Sequence, residues 1–366
     1  DGEGASFFAF GAPVVGPDGS FLPAGVRRNE DGVDTDLATD FSLLDFFNSP
    51  ATNTPTAGAG DTVMPPAETA FIHEVQGSGD TSPLEGQTVT VEAIVVGDFQ
   101  DGTGADGDLN GFFLQEEDAD ADGDTATSEG VFVFDGFSPS VDVAVGNRVE
   151  VTGTVTEFFG ETQIAADSVS VLSSNNALPT AAQITFPVAS TRTNSDGVLI
   201  ADLEAYEGMR VDVPQELTVS DLFTLGRFGD IGLHADGRLE QFTQANAPDI
   251  AGFQAYQDLA VRNSITLDDG STVQNPDTIP FEIPAEGGDI PGQFDAADDL
   301  NVGDTVTDLT GVLRFGRGSG GFGDEIYRVN PTDVVPFQNT NPRETTAPET
   351  GGSLTVASFN VLNFFT

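Results

Sequence analysis

The chain has 366 residues, 60 of them Asp or Glu against 12 basic ones, every basic residue an arginine, for a formal net charge of -48. Such a surface repels itself and any polyanion unless salt screens it, as at about 1 M, where the Debye length is about 3 Å, so a salt-rich external setting is expected. Cysteine is absent, which excludes disulfides and thiolate metal sites; no apolar run approaches the roughly 20 residues that span a bilayer, and no signal peptide heads the sequence.

Apolar residues make up 38%, with 29 Phe, which argues for packed cores between acidic loops rather than disorder, and the length allows two or three domains. Residues 1–46 hold the Phe-rich runs ASFFAF and GSFL and then GVRRNEDGVDTDLATDF. Residues 47–68 shift to Pro, Thr, Ala and Gly and read as a linker. Between 69 and 172 come FIHEVQG, QTVTVEAIVVGDF, GFFLQ, GVFVF, NRVEVTGTVTEF and TQIAADSVSVL, separated by turn signals and nearly free of helical periodicity. Strands at that spacing predict a small antiparallel barrel of OB-like type. Residues 173–198, polar with Pro179 and Pro187, are a predicted connector.

Residues 199–338 repeat the first barrel. LEGQTVTV from Leu84 returns as YEGMRVDV from Tyr206, and VGNRVEVTGTVTEF from Val145 returns as VGDTVTDLTGVLRF from Val302. Each EG pair is expected at a turn before strand one, and each VG pair at a turn before a later strand. The second copy carries an insertion at roughly 244–293, in which AYQDLAVRN is helical at most. A linker at 339–352 leads to a strand at 353–366, LTVASFNVLNFFT, which reads as the entry to a further domain, so the chain is expected to be an internal fragment.

The chemistry concentrates between GFFLQ and GVFVF. Asp118, Asp120 and Asp122 alternate, Gly123 follows, and Glu129 comes six residues later, matching the calcium-loop pattern D-x-[DN]-x-[DN]-G-x5-E. Alternating carboxylates can converge on one hard cation, Asp124 can add its backbone carbonyl, and Glu129 can close the shell bidentately. The flanks read as strands rather than the helices of an EF-hand, so the expectation is a hairpin whose tip is stapled by Ca2+. A solvated acidic loop is the plainer alternative. His73 and His234 lie far apart among apolar or turn residues and read as structural, leaving little material for a histidine relay or a zinc site. The acid pair Asp268 and Asp269 reads as a turn. Arginines are too few for these barrels to bind nucleic acid directly at low salt.

Taken together, FIHEVQGSGDTSPLEGQTVTVEAIVVGDF, GFFLQEEDADADGDTATSEGVFVF and VGNRVEVTGTVTEFFGETQI resemble the OB-like domain of large secreted bacterial nucleases. YEGMRVDV, LFTLGRFGDIGL, GRLEQFTQA and ITLDDGS resemble the region that follows it, and GVRRNEDGVDTDLATDF is similar to the tail of a lamin-tail-like β-sandwich. SLTVASFNVLNFFT looks like the first strand of an endonuclease/exonuclease/phosphatase domain with the DNase-I-like fold. The resemblance implies an all-β accessory region: the end of a sandwich, two OB-like barrels, and the first strand of an α/β catalytic domain. It implies that Asn360 stands beside a catalytic Mg2+ or other divalent ion, that the other catalytic groups lie past Thr366, and that the parent hydrolyses extracellular DNA while this portion alone is inactive. The competing expectation is a calcium-dependent, non-enzymatic surface or matrix adhesin.

Overall fold

A computed structural model describes residues 25–28, 41–44, 68–100, 109–275, 300–335 and 337–342, with positions 346, 351, 352, 354 and 356 beyond them. Most of the predicted strand at 353–366, Asn360 included, and the greater part of the predicted sandwich tail lie outside the described residues. The chain divides into two compact units, Asp1–Glu68 and Thr69–Thr366. In the first, β1 (Gly25–Arg28) pairs antiparallel with β2 (Phe41–Leu44), joining Gly25 to Leu44 and Arg28 to Phe41.

The second unit is largely β. Its first sheet begins with the edge strand β3 (Glu68–Thr69) beside β4 (Thr88–Phe99), and continues through β5 (Gly111–Gln115), β6 (Gly130–Phe134), β7 (Arg148–Phe158) and β8 (Glu161–Ser173). Spatial order is β3-β4-β5-β6-β8-β7, and β4 also pairs with β7, so the sheet curls back on itself. Among β4 to β8 the pairings are antiparallel save β6 with β8. Inside lie Val89, Val91, Val95, Phe112, Leu114, Val131, Val133, Val149, Val151 and Ile164.

Sequence reading makes FIHEVQG a strand, whereas the structure winds Ile72–Gln76 into the short helix α1. Local polar groups decide this: Glu74 accepts from the Phe71 N–H at 3.0 Å, and Gly77, with φ of +68°, ends the turn while its N–H donates to His73. Ile72 and Val75 then cap the end of the first core.

The second sheet assembles the same way. Between the sheets the chain forms β9 (Ala182–Gln183), β10 (Thr191–Thr193) and β11 (Leu199–Ala201), and Ile184, Phe186 and Val188 from this predicted connector are buried in the second core. Strand one is split into β12 (Arg210–Val213) and β13 (Leu217–Asp221), because Pro214 between them has no N–H for a ladder. After the short helix α2 (Leu225–Phe228) come β14 (Ile231–His234), α3 (Phe242–Ala245), α4 (Ile250–Arg262) and β15 (Ser264–Leu267), then β16 (Thr305–Val306), β17 (Leu309–Gly318) and β18 (Phe322–Asn330). The order β16-β13-β14-β15-β18-β17-β12-β9 reproduces the first sheet once β12 and β13, and likewise β16 and β17, are each counted as one strand; β15 and β18 are parallel as β6 and β8 are, and β9 lies parallel to β12.

The internal repeat extends to single hydrogen bonds. Gly86 and Gly208, both at positive φ, donate to Val155 and Leu313. Gly146 and Gly303 likewise donate to Val95 and Val219, and the Asn147 and Asp304 side chains accept from the N–H three residues back. AYQDLAVRN falls in α4, which starts earlier, at Ile250, where Asp249 caps it by accepting from Gly252 at 2.8 Å.

Candidate functional site

The β5–β6 hairpin has both faces covered. Phe112 and Leu114 point into the first core, while Phe113 and Phe132 point outward and meet Val96, Leu109 and Val312 of β17. This explains why GFFLQ and GVFVF are continuous apolar runs rather than alternating ones. Beyond Gln115–Gly130 the ladder gains one more bond, Glu116 N–H to Glu129 C=O at 3.0 Å, and the acidic segment leaves between these two residues.

The structure distributes that segment's carboxylates unevenly. Asp118 accepts from the Thr180 N–H and hydroxyl, both at 2.7 Å, and those two bonds lower its pKa. Asp122 accepts from the Asp124 N–H at 2.7 Å and from the Thr127 hydroxyl, and Asp124 accepts from the Ala126 N–H at 3.0 Å. Asp120 is exposed. Glu129 instead turns inward, where its carboxylate lies 3.8 Å from His73 Nδ1.

That places His73 in the site, although the linear sequence sets it apart. The His73 backbone N–H donates to Glu116 Oε1 and its ring Nδ1 stands 3.0 Å from Glu116 Oε2, both across 43 positions of sequence. Ligand atoms of His73, Glu116 and Glu129 all lie within 4.8 Å of one another. The Gln76 side chain donates to Gly130 C=O at 2.6 Å and so holds α1 against the hairpin. Burial by itself would lower the His73 pKa, but the Glu116 hydrogen bond and the charges of Glu116, Asp122 and Glu129 outweigh it and raise it. Burial, then the contact with Glu116 and the charge of Asp122, pushes Glu129 up to about 7. No spacing rule joins α1 to the hairpin, which is why His73 and Glu116 escape a reading by motif.

A second buried charge cluster, in the other sheet, is self-sufficient. Arg328 lies 3.7 Å from Asp230 and 3.4 Å from Asp268, and Asn330 donates to Asp268 at 2.8 Å. Here a permanent cation sits among the acids; Asp268 is a partner in this cluster, and its Oδ1 also accepts from Gly270 in the expected turn.

Between the two sheets the contact is intimate. Gln115 accepts from the Arg210 N–H at 2.9 Å, Glu207 accepts from the Thr162 N–H at 2.9 Å, and Ser128 donates to Glu207 C=O. Glu161 is buried beside Arg314, 3.4 Å away. Burial pushes Glu161 up to about 7, against the pull of Arg314 and Arg328 and with help from Glu157, while neighbouring Glu207 is raised by burial and by Glu204 and Glu161. The unfolded chain therefore releases the Glu161 proton first, so stability falls as pH rises from about 4.5 to about 7 and the whole loss is present above that range. Glu161→Gln removes the titration. Measured by urea unfolding, it should gain on the wild type by on the order of 2 to 3 kcal/mol between pH 4.5 and 8. A variant weaker by the same margin at every pH would mean that Arg314 keeps Glu161 ionised throughout.

No protein-family model matches the chain, and no curated protein sequence matches it. Among the described residues no helix is long and apolar enough to cross a membrane.

Proposed function

We propose that this chain is the accessory scaffold of a secreted, metal-dependent nuclease that hydrolyses extracellular DNA. In this reading both sheets are OB-like barrels. Their strand order, first-second-third-fifth-fourth and back to the first with the third and fifth parallel, supports that assignment and is met twice. Residues 1–46 are the tail of a lamin-tail-like sandwich, and 353–366 open a DNase-I-like domain in which Asn360 serves a Mg2+ or similar ion.

The observation that carries the scaffold role is the sealed joint between barrels, with Phe113 and Val312 packed together and Gly130 against Gly208. Such a joint makes two small barrels one rigid platform. Activity belongs to the domain entered at 353–366, and DNA meets the protein there, since the barrels offer 12 arginines against 60 acids.

Calcium is the proposed staple of the hairpin tip, held by Asp118, Asp120, Asp122, the Asp124 carbonyl and Glu129. The donor set is all oxygen, as Ca2+ prefers, and the four aspartates lie on one exposed loop with Glu129 at its inner end. With Ca2+ at about 100 times its Kd, the full chain should gain about 2.7 kcal/mol, a rise in Tm of roughly 4 °C, and Asp118→Asn with Asp120→Asn should abolish it. The nuclease reading is tested by expressing the chain with the residues that follow Thr366 and measuring Mg2+-dependent cleavage of duplex DNA, which Asn360→Ala should lower. A cell-wall anchor or tandem repeats in place of a DNase-I-like domain would favour the adhesin.

A further inference from the structure

His73 and Glu116, for which the calcium-loop pattern has no use, form a cluster with Glu129, its last residue. It brings together one imidazole nitrogen and two carboxylates from α1 and from the two ends of the acidic segment. The Glu116 side chain is only 2% exposed and the Glu129 side chain 13%. Two carboxylates this close, removed from water, repel each other unless a cation or a shared proton lies between them. Among the described residues no arginine pairs with either, in contrast to Asp230 and Asp268 with Arg328; Arg148 goes to Glu92 and Glu117 instead. Glu129 Oε2 is also buried with no hydrogen-bond donor, an acceptor aimed into the cluster.

The spacing leaves room for a small tetrahedral ion, and the ligand types point to its class. Ligand atoms around a tetrahedral ion with bonds of about 2.0–2.2 Å stand about 3.4 Å apart. Here the Nδ1 to carboxylate distances are 3.0 Å, the length of the His73–Glu116 hydrogen bond, and 3.8 Å, so a small opening would admit an ion. We infer that His73, Glu116 and Glu129 form an inner binding site for a first-row transition ion of the Zn2+ or Co2+ kind, which shares only Glu129 with the outer calcium loop. An imidazole ligand favours such ions over Ca2+, which takes oxygen alone. Glu129, the last residue of the calcium-loop pattern, turns inward to this site, so an ion held here would leave Ca2+ the aspartates and the Asp124 carbonyl. The ion would join α1 to the β5–β6 hairpin and fix the end of the first barrel, whether or not the chain serves a nuclease.

Cobalt is the probe, used on the full chain after dialysis against chelator. The chain has two histidines and no cysteine. One equivalent of Co2+ should therefore shift the imidazole NMR signals of His73 and leave those of His234, whose Nδ1 lies 3.0 Å from Gly237 C=O. In chelator competition, His73→Ala and Glu116→Gln should each weaken Zn2+ by about tenfold or more. Neither should alter the rise in Tm given by Ca2+, and Asp118→Asn with Asp120→Asn should leave Zn2+ affinity intact, so inner and outer sites fail separately. Co2+ that shifts neither histidine, or both alike, would overturn the inference, as would undiminished Zn2+ affinity in Glu116→Gln. The wild-type NMR result decides the matter even if a variant does not fold.

Discussion

Phe113→Ala should cost about 3 to 5 kcal/mol and should unfold both barrels in one transition. Phe113 is fully buried, yet its ring lies outside the first core, against Phe99 and Phe132 and within the same cluster as Val312 of β17. Truncation opens a cavity that neither barrel can close alone, because Gly97 on one side and Val312 on the other are strand residues paired in their ladders, and Val96 sits in the bulge beside Gly97. A cavity within a single core would weaken one barrel first. A cavity at the joint weakens the attachment of each to the other, so circular dichroism and Phe fluorescence should report a single, lower midpoint in urea with the slope unchanged. Two separated transitions in the wild type would show that the barrels are independent and the joint incidental.

What the sequence disclosed, and what it hid, follow from the range of the interactions. The duplication is legible because its marks are local: the EG and VG turns demand glycine at positive φ, as at Gly86, Gly208, Gly146 and Gly303, and the strands around them carry short-range patterns. GFFLQ and GVFVF are legible as strands, but their unbroken hydrophobicity conceals the second barrel that covers their outer face. Residues 173–198 show the reverse: the segment reads as polar, yet Ile184, Phe186 and Val188 alternate in two-residue steps and enter the second core. The acid loop is found by spacing, whereas His73 joins it only because α1 is folded across the end of the hairpin. A single capping glutamate, Glu74, makes that segment helical, and apolar periodicity does not report a five-residue helix.

Gly208→Ala should prove as costly as Phe113→Ala, and the repeat supplies its own control. Gly208 has φ of +76° and Gly86, its counterpart in the first barrel, φ of +79°, so alanine at either position bears the left-handed strain of about 1 to 2 kcal/mol. Their surroundings differ. A Cβ on Gly86 would meet nothing within 4 Å, whereas one on Gly208 would stand 2.6 Å from the Gly130 carbonyl carbon and 2.6 Å from the Val131 nitrogen. These are backbone atoms of β6, held between β5 and β8, and cannot move aside without breaking ladder bonds. Overpacking of this kind adds about 1 to 3 kcal/mol, so Gly208→Ala should lose about 2 to 5 kcal/mol where Gly86→Ala loses about 1 to 2. Urea titration of the two variants measures the difference directly, and that difference is the contribution of close backbone approach between barrels. Equal losses would mean that the two sheets do not meet at Gly130 and Gly208, and the rigid platform on which the accessory role rests would go with them.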